Sequence, residues 1–234
     1  MYQALYRKYR PKTFDEVMGQ DVIVKTLKNS IKNNLVSHAY LLAGPRGTGK
    51  TTIAKIFAKV LNCYEPENYE PCNKCISCEQ ANNNQNIDII EIDAASNNGV
   101  DEIREIRNKI ALVPTNSKYK VYIIDEVHML TTQAFNALLK TLEEPPKHII
   151  FIFATTEPQK LPQTILSRCL RFDYKKVSND EIVRRLKYIA EQENINVDDN
   201  ALYDIAKLSD GGMRDSISLL DQALAYCDDK ISIE

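Results

Sequence analysis

Apolar and polar positions follow two rhythms along this chain, and the change from one to the other marks a boundary. Up to residue 177, short apolar runs at 40–43, 87–93, 120–124, 148–154 and 170–173 read as strands. Between them apolar residues recur at helical spacing. Val22, Val24, Leu27 and Ile31 do so over 21–33, and Ile53, Ile56, Phe57, Val60 and Leu61 over 52–61. Ile103, Ile106 and Ile110 share a face over 100–112. A further helix is predicted over 131–142, with Thr131 or Thr132 as N-cap and Pro145-Pro146 beyond its end, and a short turn over 162–166. Strands alternating with helices in this way predict an α/β fold, a parallel sheet covered on both faces. From Ser178 the pattern is helical only, over 180–192, 199–208 and 213–227. The chain therefore divides into a core, 1–177, and a small three-helix domain, 178–234.

The run 40–43 leads into Gly44-Pro45-Arg46-Gly47-Thr48-Gly49-Lys50-Thr51, which fits G-x-x-x-x-G-K-[ST]. Strand, glycine loop and helix in that order separate a phosphate loop from a mere glycine-rich turn before a helix. Glycines lack a Cβ, so the loop can fold tightly and aim several backbone N–H groups at one anion. The helix start adds its positive dipole end. Nucleotide binding along Gly44 to Thr52 is expected. Lys50 is placed as a point charge on the β- and γ-phosphates, and the Thr51 hydroxyl on Mg²⁺.

A second constellation completes this chemistry. V-Y-I-I-D-E at 121–126 ends an apolar strand in two carboxylates, and ligands in parallel sheets sit at the carboxyl ends of strands. Asp125 is placed to hold Mg²⁺, largely through water, and Glu126 to orient and deprotonate an attacking water. Taken alone, the pair also reads as a solvated acidic strand end. Thr155 ends the next strand, where its hydroxyl can reach the γ-phosphate or the water, or simply close a turn. Arg168 and Arg214 are weighed against the default of a surface charge, and spacing does not lift them above it. Arg7, Lys8, Arg10 and Lys12 crowd around Pro11 in an N-terminal arm. That arm is either solvated or folded back over the nucleotide.

Charge and cysteine usage narrow the setting. A net charge of −2 removes any bulk electrostatic case for nucleic-acid binding, so a DNA contact must rest on a local patch. Residues 97–107, with Arg104 and Arg107, are a candidate patch that reads equally as a solvated helix face. No apolar run approaches membrane-spanning length and no signal-peptide core follows Met1, so a cytoplasmic location with no membrane partner is expected. There, six cysteines point to metal or buried thiols rather than disulfides. Cys63, Cys72, Cys75 and Cys78 cluster in 63–86, a polar stretch without apolar periodicity that needs another staple. Four thiolates around Zn²⁺ supply one, while an iron–sulfur cluster or free thiols stay open on spacing alone. Cys169 and Cys227 read as small buried hydrophobes.

Read together, R-K-Y-R-P-K-T-F-D-E-V-M-G-Q, G-P-R-G-T-G-K-T, the four cysteines, D-E-V-H-M-L, L-L-K-T-L-E-E-P-P, A-T-T-E-P, S-R-C and G-G-M-R-D-S closely resemble the bacterial clamp-loader ATPase subunits of DNA polymerase III, the gamma/tau family. The resemblance runs in order over essentially the whole chain. It implies an AAA+ P-loop NTPase module with a three-helix lid, hydrolysing ATP with Mg²⁺ to open and load a sliding clamp on primed DNA. It implies Thr155 as sensor 1, Arg168 as an arginine finger serving the neighbouring subunit, and Arg214 as sensor 2. The cysteines become zinc ligands of an inserted module, and the segment with Arg7 and Arg10, together with Val17, lies near the adenine. Other clamp-loader subunits are implied as partners in a pentameric ring built through a C-terminal collar. The chain stops at Glu234, so a truncated and monomeric form is expected. Two other readings compete. A Holliday-junction helicase motor is opposed by the cysteine insert, S-R-C and the lack of a winged-helix tail. A non-hydrolysing clamp-loader scaffold is opposed by Lys50, Thr51, Asp125 and Glu126.

Overall fold

The apolar runs become β1 (Ala39–Ala43), β2 (Ile89–Asp93), β3 (Lys120–Asp125), β4 (Ile149–Thr155) and β5 (Leu170–Asp173). The computed structural model describes residues 2–97, 110, 112–226 and 231. Its strands form one parallel sheet in the order β2-β3-β4-β1-β5. The described helices are α1 (Leu5–Lys8), α2 (Asp21–Lys32), α3 (Lys50–Leu61), α4 (Ile76–Asn82) and α5 (Thr132–Glu143). They continue with α6 (Gln163–Leu166), α7 (Asn179–Glu193), α8 (Asp199–Leu208) and α9 (Met213–Tyr226). The helix expected over 100–112, with Arg104 and Arg107, falls almost wholly outside the described residues, as does Cys227.

Side-chain alternation along the strands divides the core between two faces. Leu41, Tyr122, Ile124, Phe151 and Phe153 pack with Phe135, Leu138 and Leu142 of α5. Tyr40, Leu42, Val121, Ile123, Ile150 and Ile152 pack with Ile53, Ile56 and Phe57 of α3 and with Ile23 and Leu27 of α2. Both faces are dry, which is why β1, β3 and β4 read as continuous apolar runs rather than as an alternation. Thr131 is the N-cap of α5, its hydroxyl accepting from the Ala134 N–H at 3.2 Å.

The three long C-terminal helices keep a separate core of Ile182, Leu186, Ile189, Leu202, Ile205, Ile217 and Leu220. Ser178 opens α7 with a capping box closed by Glu181. Val177 and Leu5 join this cluster. The N-terminal arm is therefore packed through Leu5 and its backbone, while Arg7, Lys8 and Lys12 stay exposed. Its Leu5 N–H donates to Asp221 at 3.2 Å, and Arg185 donates to the Tyr9 carbonyl at 2.8 Å. A four-residue helix has no sequence signal of its own, and tertiary contacts alone hold α1.

Within 63–86 the structure adds two features that periodicity does not carry. Residues Glu67 and Glu70 bond reciprocally, N–H to carbonyl, at 3.1 and 2.8 Å across a tight turn in which Asn68 and Tyr69 are left-handed. That turn takes up the long gap between Cys63 and Cys72. Short helix α4 then carries Cys78 into the interior. Among the described residues no helix is long and apolar enough to cross a membrane.

Candidate active site

Phosphate-loop geometry begins at Gly44. Its φ is +148°, and a Cβ there would lie 2.7 Å from the Tyr174 backbone oxygen, so only glycine fits between β1 and the chain leaving β5. Gly49 precedes α3 in the left-handed region, φ +94°, and turns the loop into the helix. Lys50 is buried, and its ammonium donates to the Gly44 and Pro45 carbonyls, both at 2.8 Å. Burial lowers its basicity, while the Glu126 and Asp125 carboxylates oppose that effect.

Strand β3 brings the carboxylates to the same edge. The Thr51 hydroxyl donates to Asp125 Oδ2 at 2.6 Å, and Asp125 Oδ1 accepts the Glu126 N–H at 2.9 Å. Glu126 is left-handed at φ +46°, a costly conformation for a residue with a Cβ. Its carboxylate Oε2 accepts from the Thr156 N–H at 3.3 Å and the Thr156 hydroxyl at 3.0 Å. His128 Nδ1 lies 3.4 Å from the same oxygen and 3.0 Å from Thr155 Oγ1.

One cleft of ≈ 1110 Å³ collects most of the expected residues. Arg46, Gly47, Thr48, Gly49, Lys50, Thr51 and Thr52 line it, with Asp125 and Glu126 opposite, Arg214 from α9, and Arg7, Arg10 and Val17 from the N-terminal arm. Arg10 donates to the Thr52 hydroxyl at 3.2 Å. The Arg214 guanidinium stacks over the Tyr6 ring at 4.9 Å, and its backbone N–H reaches the Gly47 carbonyl at 3.4 Å, so the helical unit docks on the loop. Gly44 and Pro45 lie behind the cleft, where their carbonyls hold Lys50.

Two further expected residues, Thr155 and Arg168, are not in that cleft either. Thr155 has no solvent exposure, and its hydroxyl is engaged by His128 and by the Glu157 N–H at 3.0 Å. Arg168 lies apart, half-exposed, with NH2 2.8 Å from Glu143 Oε1 and NH1 donating to the Thr164 carbonyl at 2.8 Å. Residues the sequence reading missed are Thr156, His128 and Lys59. Lys59 alone left a signal, as a cation inside the apolar run 56–61 of α3.

The cysteine insert meets the geometric demands of a metal site. All four Sγ atoms lie within 4.8 Å of one another. Tetrahedral ligation at about 2.3 Å places sulfurs about 3.8 Å apart, and the Cys63–Cys75 and Cys72–Cys78 pairs stand at 4.0 Å. The Cys72 and Cys75 N–H groups donate to Cys63 and Cys72 Sγ at 3.3 Å. Burial raises the Cys72 thiol, but the Lys74 and Cys75 amides outweigh it and bring it down to about 7. Cys169 packs against the core face that carries α5.

A parallel sheet with a phosphate loop, a carboxylate pair on a nearby strand end and a docked helical lid define the AAA+ P-loop NTPase fold. Solved structures of Thermotoga maritima RuvB share this fold. The one described as a Holliday junction branch migration motor superposes with a TM-score of 0.67 at 24% identity, covering 96% of this chain and 66% of that one. Residues 19–178 match the family described as DNA polymerase III, delta subunit, and residues 181–229 the DNA polymerase III clamp loader subunit, ATPase lid domain. The chain belongs to the DNA polymerase III clamp-loader family. It is 57% identical to DNA polymerase III subunit tau of Bacillus subtilis over 100% of its own length and 41% of that protein's. Subunit tau of Escherichia coli is 46% identical over 100% of this chain and 36% of its own. The chain thus spans about two fifths of the length of these curated relatives.

Proposed function

We propose that this chain is the ATP-binding and hydrolysing motor of a bacterial clamp loader within a DNA polymerase III holoenzyme, acting in the cytoplasm. The observation that carries the reading is the Thr51–Asp125 hydrogen bond at 2.6 Å, which joins the phosphate loop to the carboxylate strand in one cleft with Lys50 and Glu126. Backbone N–H groups of Gly47 to Thr51 and the start of α3 receive the phosphates. Lys50 leaves the loop carbonyls for the β- and γ-oxygens. Thr51 and Asp125 would hold Mg²⁺, which neutralises charge on the phosphates. Glu126, once released from Thr156, orients and deprotonates water.

Arg214 contacts the same nucleotide from the lid, and Arg7, Arg10 and Val17 flank it from the arm. Thr155 acts through His128 and Glu157 as a buried sensor behind Glu126. Arg168, away from its own cleft, serves the ATP of a neighbouring subunit in a pentameric ring. Cys63, Cys72, Cys75 and Cys78 would hold Zn²⁺ as a structural staple. ATP binding and hydrolysis then drive opening and loading of a sliding clamp on primed DNA. The decisive experiment is ATP turnover by the assembled complex: it should rise when clamp and primed DNA are added together. A rate indifferent to both would refute the clamp-loading assignment while leaving the ATPase assignment intact.

A further inference from the structure

The cysteine insert reaches the nucleotide cleft directly along 81–86, and a second link between them runs through the N-terminal arm. Arg7, Arg10, Pro11, Lys12, Glu16 and Val17 of the arm line the cleft. Two residues fix the following turn, and both bring it to the insert. Glu70, on the tight turn between Cys63 and Cys72, accepts the Phe14 N–H on Oε2 at 2.7 Å and the Asp15 N–H on Oε1 at 3.1 Å. Its Oε1 also pairs with Lys28 at 2.6 Å. Lys59, buried on α3, donates to the Lys12 carbonyl at 2.8 Å, to Asn73 Oδ1 at 2.6 Å and to Asn82 Oδ1 at 2.8 Å. Asn73 stands between two of the cysteines, and Asn82 ends α4. All three protons of that ammonium are therefore used, one on the arm and two on the insert.

We infer that Glu70 and Lys59 are positioning residues through which the metal insert holds the arm over the nucleotide, so that metal occupancy and nucleotide affinity are coupled. The inference rests on the nucleotide reading above and gives the insert a role in it. Glu70 does not line the cleft, so it acts only through the backbone it holds. Its two bonds are charge-assisted and go to amides that otherwise need other partners. Without the metal, the 63–72 segment loses the tie at both of its ends and keeps the Glu67–Glu70 turn, the Tyr64 bond to the Asn116 carbonyl and the Lys28 pair, so Glu70 and the arm it holds are less firmly placed. An insert that folded independently would leave nucleotide binding untouched by metal loss; these contacts forbid that independence.

Linkage makes the coupling reciprocal. In the wild-type protein, saturating ADP should slow zinc release to a chromophoric chelator. Glu70→Ala should keep one zinc per chain and its melting temperature to within a few degrees. It should nevertheless weaken ADP affinity by about fivefold or more, and the protection of zinc by ADP should vanish. A purely structural Glu70 would move the melting temperature and leave that protection alone. Zinc release indifferent to ADP in the wild type, or unchanged ADP affinity in a folded Glu70→Ala, overturns the inference. If the variant does not fold, the wild-type release measurement decides. Failure of the nucleotide reading shows itself separately, as wild-type protein that binds no ADP, and removes this inference with it.

Discussion

Replacing Lys50 with alanine separates the stability of the cleft from its affinity, and the two effects should differ in size. The ammonium makes two charge-assisted bonds to carbonyls at 2.8 Å, each worth about 1.5–3 kcal/mol. Against them stands the cost of keeping a cation in a buried position, which already lowers its basicity. The two largely offset, so Lys50→Ala should change unfolding free energy by no more than about 2 kcal/mol. On binding, Lys50 exchanges those two carbonyl bonds for the phosphate oxygens, and the charge–charge attraction is what the exchange adds. A unit charge 4 Å from a phosphate oxygen at an effective dielectric of 20 contributes about 4 kcal/mol, equivalent to roughly 10³ in affinity. Part of that is recovered by the loop amides and the start of α3, which leaves a loss of at least about 10². Urea denaturation gives the first quantity and isothermal titration with ATP the second. An ATP affinity within threefold of wild type would refute the placement of the phosphates at Lys50.

The other predictions probe separate parts. Glu126→Gln should retain ATP binding and lose hydrolysis by about 10²–10⁴, the range of a general base; lost binding would make Glu126 a structural or metal-holding residue instead. Elemental analysis should find one zinc per chain, and any Cys→Ser change at 63, 72, 75 or 78 should lower the melting temperature; metal-free protein with four freely titrating thiols would end the zinc reading. Ser178→Ala removes the capping-box hydroxyl and should cost about 1 kcal/mol in denaturant titration without altering ATP affinity. Arg168→Ala in a full-length ring should keep nucleotide affinity and lose turnover. Mixing that variant with Glu126→Gln should restore activity at some interfaces, because one supplies the base and the other the finger; no recovery in an assembled mixed ring refutes action in trans.

Much of the architecture was legible because the sheet's interior is uniform. Dry strands such as Tyr40–Leu42 and Ile149–Ala154 declare themselves by apolar runs, and α8 over Asp199–Leu208 by an apolar face that matches its predicted bounds. The phosphate loop was legible because the tight glycine geometry admits few residue types. Illegible parts depend on contacts between distant positions. Leu5 and Glu70 look like ordinary surface residues until Leu5 meets the lid core and Glu70 the Phe14 amide. Helix α4 is seven residues long and carries no stripe of its own, so periodicity was silent there. Thr156 was overlooked beside Thr155 because spacing places both at the strand end and cannot say which hydroxyl meets Glu126.

The contacts Arg168 makes within its own chain bear on a role across a subunit interface. Within the chain its partner is Glu143, with both side chains substantially exposed, at 32% and 51%. Such a surface pair contributes about 0–1 kcal/mol, whereas a buried bidentate pair would hold the guanidinium against release. An arginine that must be presented to a neighbour's phosphate needs a weak tether of this kind, one that keeps the side chain ordered yet gives it up at little cost. The Thr164 carbonyl, accepting from NH1 at 2.8 Å, fixes the base of the fork and leaves Glu143 as the part that lets go. On the reading that Arg168 acts in trans, Glu143 sets how readily the finger is offered.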